Sequence, residues 1–422
     1  MIFRRNPLFS FHFYVIVYII MQKFSNDFIR EIPKTDLHVH LDGSLRLRTL
    51  IELARERKIQ LPSFTEEGLK ELVFKAAYKN LDEYLVGFAW TGRVMQDAQA
   101  LERTAYELAL DNFAEGVRYI EARFAPQLHM HRDFLFEDVI AAVDRGLRRA
   151  RSDINAKIAQ DEPPFDYGII VCAMRFFNAH FSQFYRDFHE VHPYSDSLEV
   201  IQMAGLELSK AAVKLQRETD IQIVGFDLAG SEHGYPASAH EAAYSYITKN
   251  FMRKTVHAGE AYGPESIFQA ITDLHADRIG HGLHLFDTGM IRSDPPWGRE
   301  VYMENLVNYI AENRITVEVC LTSNMQTSPH LTGIRSHSFR EMLAHNLSVT
   351  LCTDNRLVSH TNVCNEYRLA LDNFDITPSM LKDIIAYGFK RSFYYHPYRE
   401  KRKYVRTILD YYEKLEKKYG MK

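Results

Sequence analysis

His38 and His40 stand two residues apart in the segment TDLHVH (35–40). If that segment is a strand, its period of two places both imidazoles on one face, where they could hold a single metal ion. An H-x-H pair alone is weak evidence, because the chain has 19 histidines and His129 and His131 form a second such pair in a polar stretch. Three further apolar runs end in groups with chemistry of their own. KTVHA (254–258) delivers His257, with Glu260 just beyond; DRIGH (277–281) ends in His281; LSVTLCT (347–353) leads to Asp354. Imidazoles with a carboxylate suit Zn2+, with Fe2+ and Mn2+ as alternatives. The set lacks thiolates and the all-oxygen shell that Mg2+ or Ca2+ prefers.

For these groups to meet, the runs that carry them must be parallel strands ending at one rim. Eight short apolar runs qualify: 35–40, 117–124, 166–172, 222–228, 254–258, 277–281, 315–321 and 347–353. Helix-period stretches at 100–115, 135–152, 197–219, 264–275, 301–313 and 337–345 alternate with them. Strands and helices in this alternation predict a single (β/α)8 TIM barrel, whose functional groups gather at the C-terminal ends of the strands. The first and second runs are about 75 residues apart, where a βαβ unit needs about 30. The excess, 57–99, has helical signals of its own (EEGLKELVFKAA, LDEYLVGFAW), and an insertion at that rim is expected to form a lid over the mouth.

The segments TDLHVHLDGSL (35–45), HAGE (257–260), RIGHGLHL (278–285), VEVCLTSN (317–324) and CTDN (352–355) resemble, in order and over roughly residues 33–395, the adenosine/AMP deaminase family of metal-dependent amidohydrolases. The resemblance implies one Zn2+ per chain, held by His38, His40, His257 and Asp354. It implies Glu260 as proton donor to a purine ring and His281 as the base that orients and deprotonates the attacking water. Asp42 and Ser44 match the nucleoside-contacting stretch, and Gly230 in FDLAGSE matches a glycine whose backbone faces the purine. Many members have two aspartates after the eighth strand, the second donating a hydrogen bond to purine N7. Here Asn355 follows Asp354, and an amide can donate without holding an acid proton. The chemistry asks for the same residue types: hydroxide at neutral pH needs a cation that acidifies water, and attack at C6 needs a carboxylic acid kept protonated beside N1.

The implied activity is hydrolytic deamination of a 6-aminopurine nucleoside, adenosine to inosine and ammonia. Adenine, AMP and aminodeoxyfutalosine are alternative substrates, and a secreted nucleoside-binding or signalling member of the family is an alternative role. The expected partner is a small purine nucleoside. With Lys+Arg 51 against Asp+Glu 55 the 422-residue chain is nearly neutral, which gives no electrostatic reason to expect nucleic acid or a membrane surface, and the H-x-E…P-C-x-x-C signature of nucleic-acid deaminases is missing. Cys172, Cys320, Cys352 and Cys364 form no C-x-x-C pair, which points to a reducing compartment and a cytoplasmic location. Residues 1–30 read as an apolar extension ahead of a single domain at 31–422. Three readings fit the run from Leu8 to Met21: an over-extended start with Met21 as initiator, a signal or anchor that would make the protein secreted or attached, or a packed arm. At the other end, Ile408, Tyr411, Tyr412 and Leu415 are spaced to face the barrel from a terminal amphipathic helix.

Overall fold

Parallel strands covered by helices are buried on both faces, so they read as short apolar runs. All eight expected runs become strands in the computed structural model, which describes residues 24–421. They are β1 (Lys34–His40), β2 (Val117–Phe124), β3 (Asp166–Met174), β4 (Ile223–Ala229), β5 (Arg253–Ala258), β6 (Arg278–His281), β7 (Thr316–Val319) and β8 (Val349–Leu351). Each pairs in parallel with the next in chain order. His40 N–H donates to Asp354 C=O and Asp354 N–H to His38 C=O, both at 2.7 Å, which brings β8 back to β1 and makes the sheet a (β/α)8 TIM barrel. β7 and β8 are shorter than their apolar runs. After Val319 the chain turns at Cys320 into the helix Leu321–Thr327, and after Leu351 it leaves the sheet toward Asp354.

In β1, Leu37 and Val39 join the apolar layer beneath the helices and His38 and His40 face the barrel interior, while a register shift between Asp36 and Val39 leaves Asp36 accepting from Thr353 after β8. The interior is a charged column. Arg123 on β2 donates to Asp227 on β4 (3.1 Å) and to Glu318 on β7 (2.8 Å). Arg278 on β6 donates to Glu318 (2.6 Å) and to Glu121, and its guanidinium lies 3.6 Å from the Phe393 ring centroid. These side chains are all buried, and each charge has an opposite partner, the condition under which burial is tolerated.

Between β1 and β2 lie four helices where one would suffice: Leu47–Glu56, Glu66–Leu72, Leu81–Val94 and Ala98–Ala114. The two middle ones are capped by Thr65 and Asn80, whose side chains accept from Gly68 and Glu83 N–H. Their segment touches the helix after β7 and the loop after β8: Gln326 donates to Ala76 C=O (3.1 Å), and Tyr78 donates to Val358 C=O (2.8 Å). The expectations for residues 1–21 lie outside the described residues. The helix Asn26–Glu31 packs Phe28 against Tyr412 and Tyr419, so residues 26–30 already belong to the packed body. Ile408, Tyr412 and Leu415 of the last helix, Tyr398–Lys418, are buried as their spacing predicted, with Tyr411 half-buried. Among the described residues no helix is long and apolar enough to cross a membrane.

The helices Ala98–Ala114 and Phe136–Asn155 approach closely at Gly146, where a Cβ would lie 2.2 Å from the Glu102 carbonyl oxygen. Backbone cannot yield as a flexible side chain can. Gly146→Ala gains about 1 kcal/mol of helix propensity and loses about 1–3 kcal/mol to overpacking. Denaturant unfolding is expected to show a net loss of stability; a more stable variant would show that the helices separate freely.

Candidate active site

His38, His257, His281 and Asp354 come together at the C-terminal end of the barrel, and one ligand atom from each lies within 4.8 Å of the others. His40, from the H-x-H pair, adjoins them: its Nε2 is 3.1 Å from His257 Nε2 and 3.5 Å from Asp354 Oδ1. The outer nitrogens of two rings are held by carboxylates. His38 Nδ1 meets Glu318 at 2.8 Å and His257 Nδ1 meets Asp227 at 3.2 Å. Burial would raise Asp227 and Glu318, but for Asp227 the His257 ring and Arg123, and for Glu318 Arg123 and Arg278, outweigh it and hold both well below the usual carboxylate range. An ionised carboxylate only accepts, so His38 and His257 carry their protons on Nδ1 and lone pairs on Nε2.

The His38 lone pair has no partner, and the His257 lone pair meets only another imidazole. His38 Nε2 is buried without a hydrogen-bond partner and sits 3.4 Å from Asp354 Oδ1, while His257 Nε2 faces His40 Nε2. Lone pairs crowded against one another and against a carboxylate repel unless a proton or a metal ion lies between them. The donor set, imidazole nitrogens with one carboxylate and no thiolate, fits a divalent metal such as zinc.

Glu260 follows β5 on a tight turn. Its Oε2 lies 3.8 Å from His281 Nε2, and burial, then the charges of Asp354 and Glu232, push its carboxyl well above the ordinary value. The turn is held by Glu232, which accepts from the N–H groups of Gly259 (3.0 Å), Glu260 (3.0 Å), Ala261 (2.7 Å) and Tyr262 (3.1 Å) and from Ser266. Gly259 has φ +74 and a Cβ there would meet Ile267 at 2.6 Å, so the turn needs glycine. His281 and Asp354 hold positive φ without being glycine, 66° and 59°, and such strain gathers at functional sites.

The remaining expected residues divide. Asp42 is buried beside His40 (3.9 Å between Oδ1 and Nδ1), and its Oδ1 has no hydrogen-bond partner. Gly230, at φ +98, sits in the loop after β4. Ser44 Oγ accepts from Arg356 N–H (3.1 Å), so it is tied to the loop after β8. Asn355 is buried, and its side chain bonds the Tyr84 hydroxyl (2.8 Å), which also bonds Ser359 (2.7 Å). The Arg356 side chain pairs with Glu115. A cavity of about 530 Å³ opens beside Glu260, bordered by Asn80, Ser231, His233, His284 and His330. The other H-x-H pair lies elsewhere: His129 and His131 bond the carbonyls of Met95 and Gln96.

Sequence reading missed Asp227, Glu318, Glu232 and Asn324, which position the reactive groups without being among them. Two had a signal. Asp227 in QIVGFDL and Glu318 in ITVEVCL are lone acids inside apolar runs, and a buried acid needs a charged or hydrogen-bonding partner.

Residues 33–411 match the family model described as adenosine deaminase. The chain is 34% identical over 356 residues to adenosine deaminase 1 of Streptomyces coelicolor, covering 84% of this chain and 80% of that protein. It is 34% identical over 350 residues to adenosine deaminase of Shewanella pealeana, covering 82% and 90%. Among solved structures, it aligns with an adenine deaminase from Arthrobacter aurescens at TM-score 0.71 and 20% identity, over 90% of this chain and 99% of that one. A zinc-bound amidohydrolase from Burkholderia ambifaria aligns at TM-score 0.72 and 18% identity, over 94% and 95%. At those identities the two structures support the fold alone.

Asp227→Asn replaces an acceptor by a group that can also donate, which weakens the hold on the Nδ1–H form of His257. Metal affinity, read by chelator competition, is expected to fall roughly 10–100-fold. Unchanged affinity would mean that the pair does not orient the ring.

Proposed function

Because the chain belongs to the adenosine deaminase family and is thereby a hydrolase that deaminates a purine C–N bond, we propose that it converts adenosine to inosine and ammonia, using one Zn2+ per chain. The observation that carries this reading is the buried Glu260 carboxyl, pushed well above its ordinary value by burial, beside an imidazole–carboxylate cluster in which His38 Nε2 has no hydrogen-bond partner. A bound divalent cation, held by His38, His40, His257 and Asp354, would supply hydroxide at neutral pH by lowering the pKa of water to about 7.

Addition at C6 of the purine disrupts the ring unless N1 gains a proton, and Glu260 is the acid that delivers it. Its turn, fixed by Glu232, keeps that carboxyl from swinging away. His281 lies close enough to Glu260 to reach the attacking oxygen. The unpartnered Oδ1 of Asp42 accepts a ribose hydroxyl and the Gly230 backbone faces the purine, while Ser44 and Asn355, bonded to Arg356 N–H and the Tyr84 hydroxyl, brace the substrate pocket. A site built to pair a hydroxyl rejects analogues that lack it, which favours a nucleoside over free adenine. Arg356 is committed to Glu115, so it offers no counter-charge to the phosphate of AMP. Residues 57–99 form the lid, supported by the hydrogen bonds of Tyr78 and Tyr84 to the loop after β8. The four unpaired cysteines support a reducing, cytoplasmic setting.

An absorbance screen of adenosine, 2′-deoxyadenosine, AMP, adenine and aminodeoxyfutalosine tests the substrate. Adenosine is expected to lead on kcat/KM; adenine or AMP leading would remove Asp42 from the sugar site. Chelation is expected to abolish turnover, and full activity in metal-free protein would refute the ligand assignment. Glu260→Gln should keep its metal while kcat drops by about 10²–10⁴-fold; loss of the metal with it would move Glu260 into the coordination set. On binding a transition-state analogue, residues 57–99 should gain protection from hydrogen exchange, and an unchanged pattern would reduce them to decoration.

A further inference from the structure

We infer that Asn324 and His337 are positioning residues that lock His281 in the tautomer carrying its proton on Nε2. The anchor is a backbone group, which can play one part only. Phe339 N–H donates to His337 Nδ1 at 3.0 Å, so the single proton of that ring lies on Nε2; burial, which pushes the His337 imidazole down to about 3, agrees with a neutral ring. His337 Nε2–H then donates across 3.2 Å to the side chain of Asn324, which must present its carbonyl Oδ1. With the amide oriented in this way, Asn324 Nδ2 faces His281 and donates to its Nδ1 at 3.0 Å. An imidazole that accepts at Nδ1 keeps its proton on Nε2. His337, Asn324 and His281 are all fully buried, so water does not compete for these bonds.

The outer partners therefore sort the three rings by chemistry. Carboxylates hold His38 and His257 as Nδ1–H, which frees Nε2 for a metal. An amide N–H holds His281 the other way round, and a protonated Nε2 cannot coordinate a metal ion, although its ligand atom lies within the same 4.8 Å group. Its N–H is a donor aimed into the site, 3.8 Å from Glu260. Resting on the proposed deaminase reading, His281 donates a hydrogen bond to the attacking oxygen and takes no proton from it, unlike the base role that the family resemblance implies.

Long-range 1H–15N correlation of the zinc-loaded full chain, labelled with 15N-histidine, reads the tautomer without substrate; His281 signals are identified by their loss in His281→Gln. A protonated Nε2 and bare Nδ1 are expected, and the reverse pattern in the unmutated protein overturns the inference. Asn324→Asp, which can only accept, should shift the His281 proton to Nδ1. Its kcat should fall roughly 100-fold, as when a transition-state donor is removed, with KM and zinc content nearly unchanged; an unaltered tautomer in that variant also overturns the inference. If Asn324→Asp does not fold, the spectrum of the unmutated protein decides alone. Should none of the purines be deaminated while His281 keeps its proton on Nε2, the deaminase reading fails and the tautomer assignment stands.

Discussion

One buried carboxylate, that of Glu318, ties the barrel to its chemistry. It accepts from His38 Nδ1 (2.8 Å), Arg123 (2.8 Å), Arg278 (2.6 Å) and Thr255 (3.0 Å), groups from β1, β2, β6 and β5. A charge in such a place is costly unless fully paired, and removing one partner of a buried ion pair typically costs about 3–5 kcal/mol. The column from Glu121 through Arg278, Glu318 and Arg123 to Asp227 is therefore all or nothing. It fixes the rings of His38 and His257 because the acids holding those rings are themselves held from below.

Above the column, the site is assembled from strand ends, each supported from a neighbouring strand or loop. β4 and its following loop support both ends of the segment HAGE on β5: Asp227 orients His257 and Glu232 clamps the turn of Glu260. β7 and the helix after it do the same for β6 and β8. Asn324 bonds His281, and Ser323 donates to Asp354 Oδ2 at 2.6 Å. These supports balance the left-handed backbone at His281 and Asp354, which the chain would otherwise relax.

The inserted helices bring further groups to the rim. Tyr84 carries a hydroxyl down to Asn355 and Ser359, and Phe88 stands edge-on to His40 with ring centroids 6.4 Å apart. His129 and His131, the other H-x-H pair, fasten the loop after β2 to the end of the insertion. Identical spacing thus brings two imidazoles to the proposed metal site in one place and braces a loop in another, because only the first pair ends a strand that points into the barrel mouth.

Eight apolar runs with helical periods between them were enough to define a parallel barrel, because strand burial and helix amphipathicity are local patterns written along the chain. Convergence of His38, His40, His257, His281, Asp354 and Glu260 followed from their places at strand ends. What the sequence could not contain is pairing across the barrel. Whether Arg123 meets Glu318, whether Asn355 turns toward Tyr84, and which nitrogen of His281 carries a proton depend on register, barrel closure and the seating of the inserted helices. His281 lies 43 residues from Asn324 along the chain, and Asn324 13 from His337. No local propensity encodes a hydrogen bond between them, so the types of the reacting groups were legible in the sequence, while their tautomers and partners were decided only by the fold.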